Sequence, residues 1–174
     1  INLAESNGYS LYEMREGDLS GYPEPQDLTQ RTLRFTFMDK DNSKEVLFAE
    51  TRKAGAYGLQ PKSLPYLSDG SWNGVAPTLT MVERFYTKNG LPIDEDPKYY
   101  TPDDYFKIGQ YEGRTTCNLN LKREPRFYSW VSFHNGYFEM QREGYNEGRI
   151  VTMFRKSDNH GKQNRSTDFS LSGY

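Results

Sequence analysis

The side chains able to do chemistry fall into a few short stretches of this 174-residue chain. In DKDNSKEVLFAE, Asp39, Asp41, Ser43 and Glu50 hold positions 1, 3, 5 and 12 of a calcium-binding loop. The glycine such a loop needs at its sixth position is replaced by Lys44, and VLFA favours strand, so a solvated turn leading into a strand is the better reading. Asp94, Glu95 and Asp96 raise the question of glycoside hydrolysis, which needs two acids facing each other across about 5 to 10 Å. Three acids adjacent in sequence beside Pro97 read instead as a solvated loop. His134 and His160 have no Ser, Cys or acid partner at a recognisable spacing and read as surface histidines. Cys117, the single cysteine, reads as a small buried or half-buried hydrophobe. No GxSxG, HExxH, P-loop or GxGxxG pattern occurs, so nothing proposes an enzyme, a metal or a cofactor.

Aromatic rings on polar loops are the remaining candidates. Tyr57, Tyr66 and Trp72 lie in TRKAGAYGLQPKSLPYLSDGSWNG, residues 51–74, with Asn73 beside the tryptophan. A flat ring stacks on the apolar face of a pyranose or on a peptide plane, while neighbouring amides bond the polar edge. The competing reading is that these rings pin a long loop to the body of the protein. Trp72, between small neighbours, is expected to be partly exposed with a second loop aromatic beside it, each ring worth about 1 kcal/mol in stacking. Trp130, inside FYSWVSF, reads as core.

The elements that must position these residues are short and much interrupted. INLAESNGYSLYEM suits a helix end and a turn, and a Gly-Pro-rich loop follows. RTLRFTFM and KEVLFAE read as strands. PTLTMVERFYTKNG reads as an amphipathic helix over 78–88, started at Pro77-Thr78 and stopped at Asn89-Gly90. Thr101 and Pro102 start another helical turn, as does Pro125. HNGYFEM and EGRIVTMF read as strands, with Asn135-Gly136 as a hairpin-type turn, and the polar tail after residue 154 reads as mobile. Met81, Val82, Phe85, Phe127, Val131 and Phe133 are the expected core.

Composition agrees with a single loop-rich α+β domain whose apolar contacts come from rings. Hydrophobic residues make up 34% of the chain, against 14 Tyr and 10 Phe. The 22 basic and 24 acidic residues form no long run of one sign, which gives no field for nucleic acid or an anionic membrane. No apolar run approaches the 18 or so residues of a membrane span. The start at Ile1 reads as that of a piece of a longer chain.

The order of segments carries more than any one of them. SKEVLFAE, then GVAPTLTMVERFYTKNGLPIDEDP, then REPRFYSWVSFHNG, then a closing SGY resembles the SusD/RagB family of Bacteroidetes outer-membrane nutrient-binding lipoproteins. The landmarks run from about Ser43 to Tyr174. The resemblance implies an irregular, loop-rich lobe of short helices and a few antiparallel strands, residues 1–174, within an otherwise mainly α-helical protein. The family's lipobox cysteine, most of its tetratricopeptide-like scaffold and its closing helices have no counterpart here, so apolar side chains are expected to stand exposed where the scaffold would pack.

The resemblance also implies a function: non-catalytic capture of oligosaccharides at the cell surface and their delivery to a SusC-like TonB-dependent transporter. A peptide-binding RagB-like receptor is the near alternative, and a carboxylate-based glycoside hydrolase the alternative of a different class. No invariant site motif of the family maps onto the chain, so Trp72, Tyr66, Tyr57 and Asn73 are nominated as ligand contacts from their residue types alone.

Overall fold

The computed structural model describes residues 2–14, 28–39, 42–49, 62–66, 74–139, 149–155 and 157–161. They form an α+β lobe of short pieces. Helices α1 (Asn2–Ser6), α2 (Leu28–Met38), α3 (Leu79–Arg84) and α4 (Pro125–Trp130) alternate with two separate two-stranded antiparallel sheets. Strands β1 (Ile108–Tyr111) and β2 (Arg114–Cys117) form one sheet, in which Ile108 faces Cys117 and Tyr111 faces Arg114. Strands β3 (Tyr137–Glu139) and β4 (Arg149–Val151) form the other, in which Tyr137 faces Val151.

The core is built on rings. Val82, Ile93, Tyr99, Tyr105, Leu119, Phe127, Val131 and Phe133 form one buried cluster. Phe127 meets Phe85 edge-on at 5.7 Å, and Tyr111 stacks on Tyr128 at 5.3 Å while its edge meets Phe133 at 5.2 Å. Each such pair adds about 0.5–1.5 kcal/mol beyond area burial, which lets a chain poor in aliphatics hold a dry centre. Four of the six expected core residues lie here, and Phe85 packs against them half-buried. Met81, at 60% exposure, is turned out.

The helix expected over 78–88 is half that length. Thr78 caps it as expected, its Oγ1 accepting from Met81 N at 3.3 Å. Its end is set by partners far along the chain. Tyr86 N donates to Glu124 Oε1 at 2.7 Å, and Val82 O accepts from Arg123 Nη2 at 2.6 Å. Both groups are therefore engaged outside the helix, and Phe85 turns extended with ψ 145°. Asn89-Gly90 serves a tight turn instead of a helix stop: Gly90 N donates to Thr87 O at 2.9 Å with Gly90 at φ +76°.

Two expected strands are not strands. RTLRFTFM belongs to α2, whose Arg31 and Phe35 are buried one turn apart while Phe37 and Met38 face out. The alternation misled because α4 supplies the deciding contacts: Arg34 donates through Nε to Ser129 O and through Nη2 to Tyr128 O, and Ser129 Oγ donates to Gln30 O at 2.7 Å. Arg34 thereby ties α2 to the C-terminal carbonyls of α4. The described part of KEVLFAE pairs with no strand, and Phe48 is 87% exposed.

Candidate functional site

Asp39 acts as a turn acceptor, which agrees with the solvated-turn reading. It accepts from Tyr12 Oη at 2.9 Å and from Asn42 Nδ2 at 2.9 Å, while Asp41 and Glu50 lie outside the described residues. Among the described residues, no three His, Cys, Asp or Glu side chains gather as a metal site would require.

The DED run needs a correction. Asp96 is 7% exposed and holds the 87–91 turn together, accepting from Thr87 Oγ1 at 2.6 Å, Asn89 Nδ2 at 2.8 Å and Lys98 N at 2.9 Å. The Thr87 hydroxyl, then the Lys98 amide, then the Asn89 amide hold its carboxyl below the usual carboxylate range. With three donors engaged, Asp96 is a structural acceptor; Asp94 and Glu95 remain exposed.

The nominated aromatic loop lies largely outside the described residues: Trp72, Asn73 and Tyr57 are among those not described. Tyr66 is described and is 7% exposed. Trp130, expected as core, is instead half exposed and meets the edge of Phe37 at 5.2 Å.

What the structure brings together is a hollow of about 360 Å³, near the lower end of the roughly 300–1,000 Å³ usual for small-molecule sites. One wall is apolar: Phe106 and Ile108, 60% and 78% exposed, stand on the β1 side. Ser132, His134, Phe154 and Arg155 also line it. Asn120 lies at the hollow, 2% exposed, its Nδ2 donating to Thr116 Oγ1 at 3.0 Å, while its Oδ1 is buried without a partner among the described residues. Ser132 Oγ is likewise buried without a partner among the described residues. Buried polar atoms are nearly always bonded, which makes the two oxygens exceptions in this lobe. A second hollow of about 430 Å³, bordered by Met81, Trp130 and Phe138, shares Ser132 and Phe154 with the first.

The two histidines are not the surface groups their sequence context suggested. His160 is 9% exposed, and its Nδ1 accepts from Met153 N at 2.9 Å. His134 Nδ1 accepts from the next amide, Phe154 N, at 3.0 Å, with the Asp158 carboxylate 3.6 Å away. Burial lowers the pKa of both; Arg155 lowers that of His134 further, and Asp158 opposes the shift in each. Nδ1 as acceptor leaves each neutral ring its proton on Nε2, so His134 offers one donor. Arg155 has no carboxylate within ion-pair distance among the described residues. The hollow thus combines apolar side chains with donors and acceptors, and among the described residues no carboxylate lines it.

The described part of the fold resembles a solved structure titled selenomethionine BT4246, with a TM-score of 0.67 at 22% identity. The match covers 99% of this chain and 31% of that one, so the chain spans under a third of that structure's length. No curated protein matches by sequence. A family profile described as the SusD family matches residues 39–174, including the α3 segment, REPRFYSW and the histidine region, and the chain belongs to the SusD family.

Proposed function

We propose that the chain is part of a non-catalytic, surface-exposed outer-membrane lipoprotein that captures nutrient oligosaccharides and delivers them to a SusC-like TonB-dependent transporter. Family membership supports the general role in nutrient binding. The observation that carries the oligosaccharide reading is the gathering, at one hollow, of the exposed apolar Phe106 and Ile108 with the polar side chains of Asn120, Ser132, His134 and Arg155. A pyranose has that same division: an axial face of C–H bonds for the wall and a rim of hydroxyls for an acceptor and a donor. Trp72, Tyr57 and Asn73 are proposed as further ligand contacts, with Tyr66, 7% exposed, as a fourth. The helical remainder of the same protein would cover exposed apolar groups such as Phe37, Met81 and Trp130. Among the described residues no helix is long and apolar enough to cross a membrane, and the proposed anchor is a lipid outside this chain.

Isothermal titration of the full chain against oligosaccharides of starch, xylan, mannan and mucin, with peptide mixtures in parallel, tests the reading. Phe106→Ala is expected to weaken binding of the responsive glycan about 2- to 10-fold, the equivalent of one lost stacking contact of about 0.5–1.5 kcal/mol. Response to peptides alone would move the assignment to a peptide receptor, and release of reducing ends would refute the non-catalytic role.

A further inference from the structure

The segment of residues 152–155 and 157–161 is held by two imidazoles, His160 from within and His134 from the preceding residues 132–136. Consecutive backbone amides, Met153 N–H and Phe154 N–H, donate to Nδ1 of two different histidines, His160 and His134. The same segment is held by Thr152 Oγ1 donating to Phe133 O at 2.7 Å and by His160 N donating to Met153 O at 3.1 Å. Phe154, which it carries, lies at both hollows, and Arg155 at the first.

We propose that this segment is a pH-sensitive latch on the hollow, closed when both imidazoles are neutral and released when they are protonated. A protonated Nδ1 has no lone pair, so each protonation removes an acceptor and sets an N–H against a backbone N–H. For His134 the replacement partner is at hand. Asp158 Oδ2 is 3.6 Å from Nδ1, too far for a hydrogen bond now but within reach of a small ring movement, and it already accepts from Arg155 N at 3.0 Å. The charged groups facing the two rings are the Asp158 carboxylate, which favours protonation of both, and the Arg155 guanidinium, which opposes it at His134. Protonation therefore exchanges the Phe154 amide for Asp158 and frees the chain that carries Phe154 and Arg155. Its consequence for ligand rests on the reading of the hollow as the binding site.

The test uses the full chain without ligand first. Hydrogen exchange at the Met153 and Phe154 amides, corrected for the intrinsic pH dependence of exchange, is followed from pH 7.5 to 5.0. Protection is expected to fall about tenfold or more in the wild type. In the double variant His134→Asn, His160→Asn, the Asn Oδ1 can stand where Nδ1 stood and does not titrate, so the fall should vanish. Unchanged wild-type protection at pH 5.0, or an equal fall in the double variant, overturns the latch. Titration of the oligosaccharide panel named above at both pH values then separates the two readings. Weaker binding at pH 5.0 in the wild type alone supports both, whereas a latch that opens with no change in affinity overturns the coupling to the hollow.

Discussion

Replacing Arg123 by Met gives the sharpest measure of what holds this lobe together. Arg123 is 2% exposed and, among the described residues, has no carboxylate within ion-pair distance. Its guanidinium donates to Val82 O at 2.6 Å, Phe85 O at 2.8 Å, Leu119 O at 3.0 Å and Tyr99 Oη at 3.2 Å, and lies 4.7 Å from the Phe127 ring centre. Met fills similar volume and removes every donor. Leu119 O keeps a donor, since Tyr99 Oη reaches it at 2.8 Å, but Val82 O and Phe85 O lose theirs. Two orphaned carbonyls cost about 2–6 kcal/mol. Relief from burying the cation offsets part of that, leaving a net loss of about 2–3 kcal/mol. For a chain of this size that lowers Tm by about 4–12 °C, readable by circular dichroism or calorimetry. Arg123→Lys should recover only part, because one ammonium cannot span carbonyls of α3 and of the 118–120 turn together. A Met variant within 1 °C of wild type would refute the reasoning.

Asp96→Asn should destabilise the chain at neutral pH and flatten the acid limb of its stability curve, as followed by urea denaturation at several pH values. The sign follows from a folded pKa below the unfolded value of 3.8: the contribution is present above that value and is lost as pH falls through the folded pKa. Gly161→Ala would set a Cβ 1.8 Å from Arg155 O, a backbone atom that cannot step aside, so the Met153 and Phe154 amides should lose exchange protection even at pH 7.5. Trp72→Ala should weaken glycan binding with little change in Tm; unchanged affinity by titration would remove Trp72 from the proposed contacts.

Local signals were legible where the chain itself supplies the partner. Thr78 accepts from Met81 N three residues on, Pro102 and Pro125 open the turns they announced, and Gly8 at φ +86° ends α1 after its N–H bonds Glu5 O. The two misread helices have one cause, a partner distant in sequence. The α3 helix stops early because Arg123 and Glu124 engage its end, and α2 forms because Ser129 and Tyr128 meet Arg34 and Gln30. Asp96 looked solvated because its donors, Thr87 and Asn89, converge only once the turn is folded. The hollow was invisible for the same reason: Phe106, Asn120, Ser132 and Phe154 share no spacing, and no signal in their neighbours' types announces them. For the histidines, the burial that makes them acceptors comes from a tail segment whose polar composition read as mobile.

The residues that carry the family resemblance turn out to be architectural in physical terms. Thr78 caps α3 and Val82 fills the core; Arg123 and Glu124 end α3, the latter also accepting from Arg126 Nε at 2.6 Å; Pro125 starts α4 and Phe127 is fully buried beneath it. Asn135, at φ +64°, turns the chain while its Nδ2 bonds Thr115 O at 2.6 Å, which fixes the β1–β2 hairpin against the 132–136 segment. These groups work by joining pieces of chain too short to be stable alone. Phe106, Ile108 and Arg155 fall between the motifs, whereas Ser132 lies inside REPRFYSWVSFHNG, between the buried Val131 and Phe133. A frame specified by such motifs is legible as a family in the sequence, while the residues lining the hollow come together only in the folded chain.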